Sequence, residues 1–109
     1  MNIKDIIEQA KEVAHAEAKK YFLEKLDGQD KFACGFAWVS IYGIRKNSKI
    51  GQELDRLGIK KNHGEKAHIF WNPSCLSVQN IDTKEAGAMA CAKFLEQHGF
   101  RAFANSKLD

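Results

Sequence analysis

The feature that most constrains this chain is the run KFACGFAWVSI with Tyr42, residues 31–42. It is almost unbroken in apolar and aromatic residues, too short to cross a membrane, and too rich in β-branched and aromatic side chains for an ordinary surface helix. It predicts a central strand covered on both faces. Gly35 inside it marks a bulge or a close backbone approach. A strand of this kind needs layers around it, so the remaining segments are read for what they can supply.

Residues 3–26 supply a helix. Ile3, Ile7, Ala10, Ala14, Ala18 and Tyr21 follow 3-4 spacing, Ile6 and Val13 widen the stripe, and Gly28 can stop it. At 1.5 Å per residue it is roughly 36 Å long, against a radius of gyration of about 13 Å for a 100-residue domain. Such a helix is expected to overhang its own domain and to bury its stripe on a second copy of the chain. The organisation expected is an N-terminal oligomerisation helix, 1–28, followed by one α+β domain, 29–109.

After Tyr42, Ser48 can cap a helix over 49–57 carrying Ile50, Leu54 and Leu57, closed by Gly58. Residues 59–65 are a polar loop and 67–72, AHIFWN, a strand. Pro73-Ser74 makes a turn, and 75–81, CLSVQNI, alternates with period 2 as a returning strand. Asp82 with Glu85 resembles a capping box for a helix 83–98, dense in small residues and ended by Gly99. Residues 100–104 are a last strand and 105–109 a tail. The order β-α-β-β-α-β is the split βαβ, ferredoxin-like arrangement: an antiparallel sheet with two helices on one face. The other face is left for the long helix, a ligand or a second subunit.

Much chemistry is excluded. Cys34, Cys75 and Cys91 have no metal or redox spacing and read as reduced core thiols, which places the chain in a reducing compartment. His15, His63, His68 and His98 offer no H-x-x-x-H pattern, so no metal or other cofactor is expected. No G-x-S-x-G occurs and no cysteine has a local base, so no enzyme is expected. Residues 1–30 do not read as a secretory leader, and no apolar span predicts a membrane crossing.

What remains points to an anion. Between Arg45 and Lys66 seven Lys/Arg stand against three acids, a local charge of +4 in a chain whose total is +3. Within 42-YGIRKNSKIGQ-52, Arg45, Lys46, Asn47, Ser48 and Lys49 sit at the expected start of a helix, where free N–H groups favour a phosphate. Cations there oppose the helix dipole by roughly 0.3–1 kcal/mol each, so the cluster suits an anion better than it suits its helix. The P-loop pattern fails, because Ser48 stands where its second glycine belongs. Trp71 offers a stacking face, Gln79 and Asn80 offer amides, and Arg101 and Lys107 add cations near the C-terminus. These ten residues are the candidate ligand site.

The segments 34-CGFAWV-39, 47-NSKIGQEL-54, 71-WNPS-74, 79-QNIDTKEAGAMA-90 and the ending 106-SKLD-109 together resemble a family of small tailed-bacteriophage proteins. That family carries a CGFAWV-like strand, N-[ST]-K-[LI]-G, Q-[NS]-[VM]-D-x-K-E-A and a final S-[RK]-[LM]-D. Two departures stand out: Cys75 where a glycine often follows W-N-P-S, and Lys107 where the basic residue is commonly Arg. The resemblance implies a phage origin and work in the cytoplasm of an infected bacterium. By analogy it implies an anti-defence sponge, at least a dimer, that sequesters a small phosphorylated nucleotide signal (a cyclic oligonucleotide or an ADP-ribose derivative) without cleaving it. The alternatives are a single-stranded nucleic-acid-binding module, less favoured at a net charge of +3, and an inhibitor of a host protein.

Overall fold

The computed structural model describes residues 2–109 and is α+β. Helix α1, Ile3–Leu26, precedes β1, Gly35–Tyr42; α2, Lys49–Arg56; β2, Lys60–Asn62; β3, Ala67–Trp71; α3, Ile81–Gln97; and β4, Arg101–Leu108. The sheet order is β2-β3-β1-β4, with every neighbouring pair antiparallel. After α1 this is the split βαβ, ferredoxin-like layout expected from the order of elements.

One core sits between the sheet and the helices. Ala37, Val39 and Ile41 of β1, Phe70 of β3 and Ala102 of β4 meet Leu54 of α2 and Ala88, Cys91, Ala92 and Leu95 of α3. Ile6, Ile7, Ala10 and Ala14 of α1 belong to the same cluster. The stripe of α1 is therefore buried on its own domain, chiefly along α3, and the expected overhang is corrected. The radius of gyration is 13.7 Å, but the long axis is 43 Å, which accommodates a 24-residue helix lengthwise. The small residues of α3 permit this approach. A Cβ added at Gly87 would stand 2.7 Å from Ser74 Cβ, 3.2 Å from the Ala14 carbonyl oxygen and 3.2 Å from Ala18 Cβ.

Four local expectations are also corrected. Residues 75–81 form no strand. Both edges of β3 are already used, by β2 and β1, and the Asp30 carboxylate takes the backbone N–H groups of Gln79 (2.7 Å) and Asn80 (2.9 Å). The 59–65 loop contains β2. The start of α3 is capped by Asn80, whose Oδ1 accepts from Thr83 N–H at 2.8 Å, and not by Asp82. The tail continues as β4, paired with β1 as far as Gly35–Leu108. Gly35 is a place of close approach: a Cβ there would lie 2.7 Å from the Lys107 carbonyl oxygen. Among the described residues no helix is long and apolar enough to cross a membrane.

Candidate functional site

The expectation that both faces of β1 are covered fails in an informative way. The helices pack on the odd positions, Gly35, Ala37, Val39 and Ile41, which are small or aliphatic and buried. The even positions, Phe36, Trp38, Ser40 and Tyr42, point to the other face, as side chains in a strand must alternate. Among the described residues no helix covers that face. Register then decides its neighbours. Trp38 pairs with Trp71 and Ser40 with Ile69 of β3. Phe36 pairs with Lys107, Trp38 with Asn105, Ser40 with Phe103 and Tyr42 with Arg101 of β4.

The result is an open sheet face with two aromatic clusters. At one end Trp71 stacks on Trp38, ring centroids 5.5 Å apart and planes within 13°, and Phe36 lies 5.7 Å from Trp71. Lys84 Nζ reaches over the Phe36 ring at 5.4 Å while donating to the Gly35 carbonyl oxygen at 2.8 Å. Lys107 stands across from Phe36. Trp71 is 56% exposed, so its outer ring face is available, and the Trp38 Nε1–H beneath it is buried without an acceptor. At the other end Tyr42 and Phe103 meet edge to face at 5.8 Å, with Arg101 across from Tyr42. Between the clusters a polar bridge closes the middle. Ser40 Oγ donates to Glu65 at 3.2 Å and accepts from Asn105 Nδ2 at 2.8 Å.

Of the ten residues expected to bind a ligand, the structure brings Trp71 and Lys107 to one end of this face and Arg101 to the other. Six positions of β1 separate Phe36 from Tyr42, about 20 Å at strand rise. Arg101 lies instead beside the start of the basic loop, its Cδ 4.0 Å from where a Gly43 Cβ would be. Arg45, Lys46 and Asn47 are exposed on that loop, and Lys49 is exposed at the first position of α2. Ser48 is the N-cap of α2: its Oγ accepts from Gly51 N–H at 3.1 Å and donates to the Arg45 carbonyl oxygen at 2.6 Å. The Arg45 and Lys46 carbonyl oxygens crowd over Gly51 and fill the space that the Cβ of any other residue would need. Of the N–H groups at that helix end, Gly51's is thus taken by Ser48.

Asn80 has a structural role. It is buried, its Oδ1 caps α3, and its Nδ2 donates to Asp30 Oδ1 at 2.9 Å. Gln79 is exposed, next to Gly35 through the Gly35 N–H bond to its carbonyl at 3.1 Å. The hydrogen bonds from Asn80 and Gln79 hold the Asp30 carboxyl below its ordinary 3.8. Sequence reasoning missed Phe36, Trp38, Tyr42, Phe103 and Lys84. The signal for the first three was present, since large aromatics occupy alternate positions of 35–42.

Comparison of the chain with family models, with curated proteins and with solved structures finds no match.

Proposed function

We propose that this protein is a non-enzymatic binder of nucleobases, and that its ligand is a single-stranded nucleic acid laid across the open sheet face. The observation that carries the reading is the pair of aromatic clusters that together span about 20 Å of β1, with Lys84 and Lys107 at one end and Arg101 at the other. Exposed π faces stack any base, and flanking cations follow a phosphate backbone. A face this long and open favours an extended ligand. A single small nucleotide is held tightly by enclosure, which a flat face does not give.

The second reading keeps the sequestration of a small phosphorylated nucleotide, as a phage anti-defence protein in a bacterial host. The compactness of the Phe36–Trp38–Trp71 cluster with its two lysines favours it. It requires a second copy to close over the base.

Both tryptophans lie on the face, so intrinsic fluorescence reports binding directly. Titration with oligo(dT) and oligo(U) of increasing length, and with mononucleotides, is expected to quench with the oligonucleotides and to weaken steeply with salt. Trp71→Ala is expected to weaken binding by about 1–3 kcal/mol, roughly 5- to 150-fold, while the fold survives. Saturation by a small nucleotide in preference to any oligomer supports the second reading. No response to either class refutes both.

A further inference from the structure

The sheet has two edges, and they are unlike. β2, at one edge, is three residues long and carries Lys60 and Lys61. Short, charged strands are how an edge is kept from pairing. β4, at the other edge, is eight residues long, holds no proline or glycine, and pairs with β1 along its whole length. Asp109 N–H donates to the Cys34 carbonyl oxygen at 3.1 Å, one step beyond the Gly35–Leu108 pair. That bond fixes the phase of the ladder. In an antiparallel pair alternate residues turn both backbone groups to the neighbour, so the odd residues of β4 bond to β1, and Ala102, Ala104, Ser106 and Leu108 turn theirs outward. Among the described residues no backbone partner reaches that outer edge. An unpaired ladder of this length accepts another extended strand.

We propose that β4 pairs antiparallel with β4 of a second copy, about a twofold axis at Asn105, and joins the two four-stranded sheets into one. The side chains choose both partner and register. Arg101, Phe103, Asn105 and Lys107 share the open face with Tyr42, Ser40, Trp38 and Phe36, and alternation adds Asp109. With the axis at Asn105, Arg101 stands across from the partner's Asp109 and Phe103 across from the partner's Lys107, each twice by symmetry. The first is an ion pair and the second a cation at a ring. On the helix side Leu108, 63% exposed, falls across from the partner's Ala102. The outward residues then meet, Ala102 with the partner's Leu108 and Ala104 with the partner's Ser106, for about eight backbone hydrogen bonds. The slip that sets Arg101 across from the partner's Lys107 brings like charges together twice. The opposite slip sets Phe103 across from the partner's Asp109 and takes that carboxylate away from Arg101. Trp38 pairs with Asn105 and Trp71, so the Trp71–Trp38 stacks of the two copies fall on one row across the axis, the two Trp38 residues about 14 Å apart at strand spacing. If nucleobases stack on the open face, as proposed above, one nucleic-acid strand can run from one copy onto the other.

Sedimentation of the full-length protein without nucleic acid, from micromolar to millimolar concentration, is expected to show a reversible species of twice 12.3 kDa. Arg101→Asp or Asp109→Arg alone sets like charges together and should weaken the dimer about tenfold, whereas the two changes together restore the ion pair and the affinity. Oxidation reads the register. Cys34→Ser and Cys75→Ser remove the other exposed thiols. In that background the thiol of Asn105→Cys meets its own copy, with Cα atoms about 4.5 Å apart across the axis, and should form a covalent dimer. The thiol of Phe103→Cys, across from the partner's Lys107, should not. A monomer at every concentration overturns the proposal. So does a dimer in which the exchanged charges give no rescue or Asn105→Cys stays reduced, because such a dimer uses another face or another register. If a charge variant loses its circular dichroism, the cross-link decides alone: a covalent dimer through Asn105→Cys supports the proposal and its absence overturns it. A monomer that still binds oligonucleotides removes the dimer alone, and a dimer that binds none removes the nucleic-acid reading alone.

Discussion

Gly87 is where three elements meet, and replacing it with Ala sets two effects of opposite sign against each other. Helix propensity favours Ala over Gly by about 0.8–1.0 kcal/mol in a helix interior. The new methyl, however, falls 2.7 Å from Ser74 Cβ, 3.2 Å from the Ala14 carbonyl oxygen and 3.2 Å from Ala18 Cβ. Carbon atoms prefer about 3.5–4.0 Å. None of the three neighbours is the free end of a long side chain, so α1 or the 72–75 loop must move by several tenths of an ångström. Over-packing of a tight interface costs about 1–3 kcal/mol. With two of the three contacts involving α1, the upper part of that range applies, and the net destabilisation is about 1–2 kcal/mol. For a domain near this size that lowers Tm by roughly 4–16 °C. Chemical and thermal denaturation followed by circular dichroism measure it. Adding Ser74→Gly removes the nearest carbon, so the pair should lose less than the sum of the single changes. A Gly87→Ala protein as stable as the original, or more so, refutes the argument and means that the α1–α3 contact yields freely.

Three further outcomes follow from polar groups of the fold. Burial, with Lys61 nearby and only partly offset by Asp55, depresses the His68 pKa below its ordinary 6.5. The unfolded chain then binds a proton that the native one refuses, so native stability falls as pH drops from 6.5 towards the folded value. His68→Leu should abolish that part of the acid slope with little loss at pH 7, because the buried His68 Nδ1 has no partner to lose; urea midpoints at pH 7 and 5 check it. Asn80→Ala removes the cap of α3 and a partner of Asp30, and should cost about 0.5–2 kcal/mol in the same assay. The Asp30 carboxyl is held below 3.8, so its contribution is present above that pH and is lost as pH falls through the folded value. Asp30→Asn should flatten the stability profile in that acid range, and an unchanged profile sinks the assignment.

Order along the chain is legible in the sequence because each helix announces itself. The Ile7–Ala10–Ala14–Ala18 stripe, the Ser48 cap and the small residues of 86–92 all describe helices that must bury one face, and all three do. Strands are less legible where pairing, not composition, decides. KKN at 60–62 is polar on both faces, and only a free edge of β3 makes it a strand. CLSVQNI has the alternation of a strand but makes only an isolated bridge, Asn80 to Cys34 beside the start of β1, and Asp30 captures two of its N–H groups. A sheet has a fixed number of edges, and the sequence does not show which are taken.

The candidate site is hard to read from sequence for the same reason. An apolar strand with alternating sizes can be covered on both faces, or covered on the aliphatic face alone, and its composition is similar in the two cases. What separates them is whether a second layer exists. Here α1 joins α3 on the aliphatic side. The three helices of the described residues therefore lie on one face, and Phe36, Trp38, Tyr42, Trp71 and Phe103 form the other. Register then sorts the cations: Lys107 falls opposite Phe36, and Arg101 opposite Tyr42. A cation cluster close in sequence, Arg45 to Lys49, is exposed around the Ser48 cap of α2 and away from the aromatic face. Two cations well separated on β4 stand at the two ends of one surface, because β4 runs the length of β1. A ligand that engages both must itself be about 20 Å long, and that length, more than the charge of any single residue, is why an extended strand suits this face better than one nucleotide.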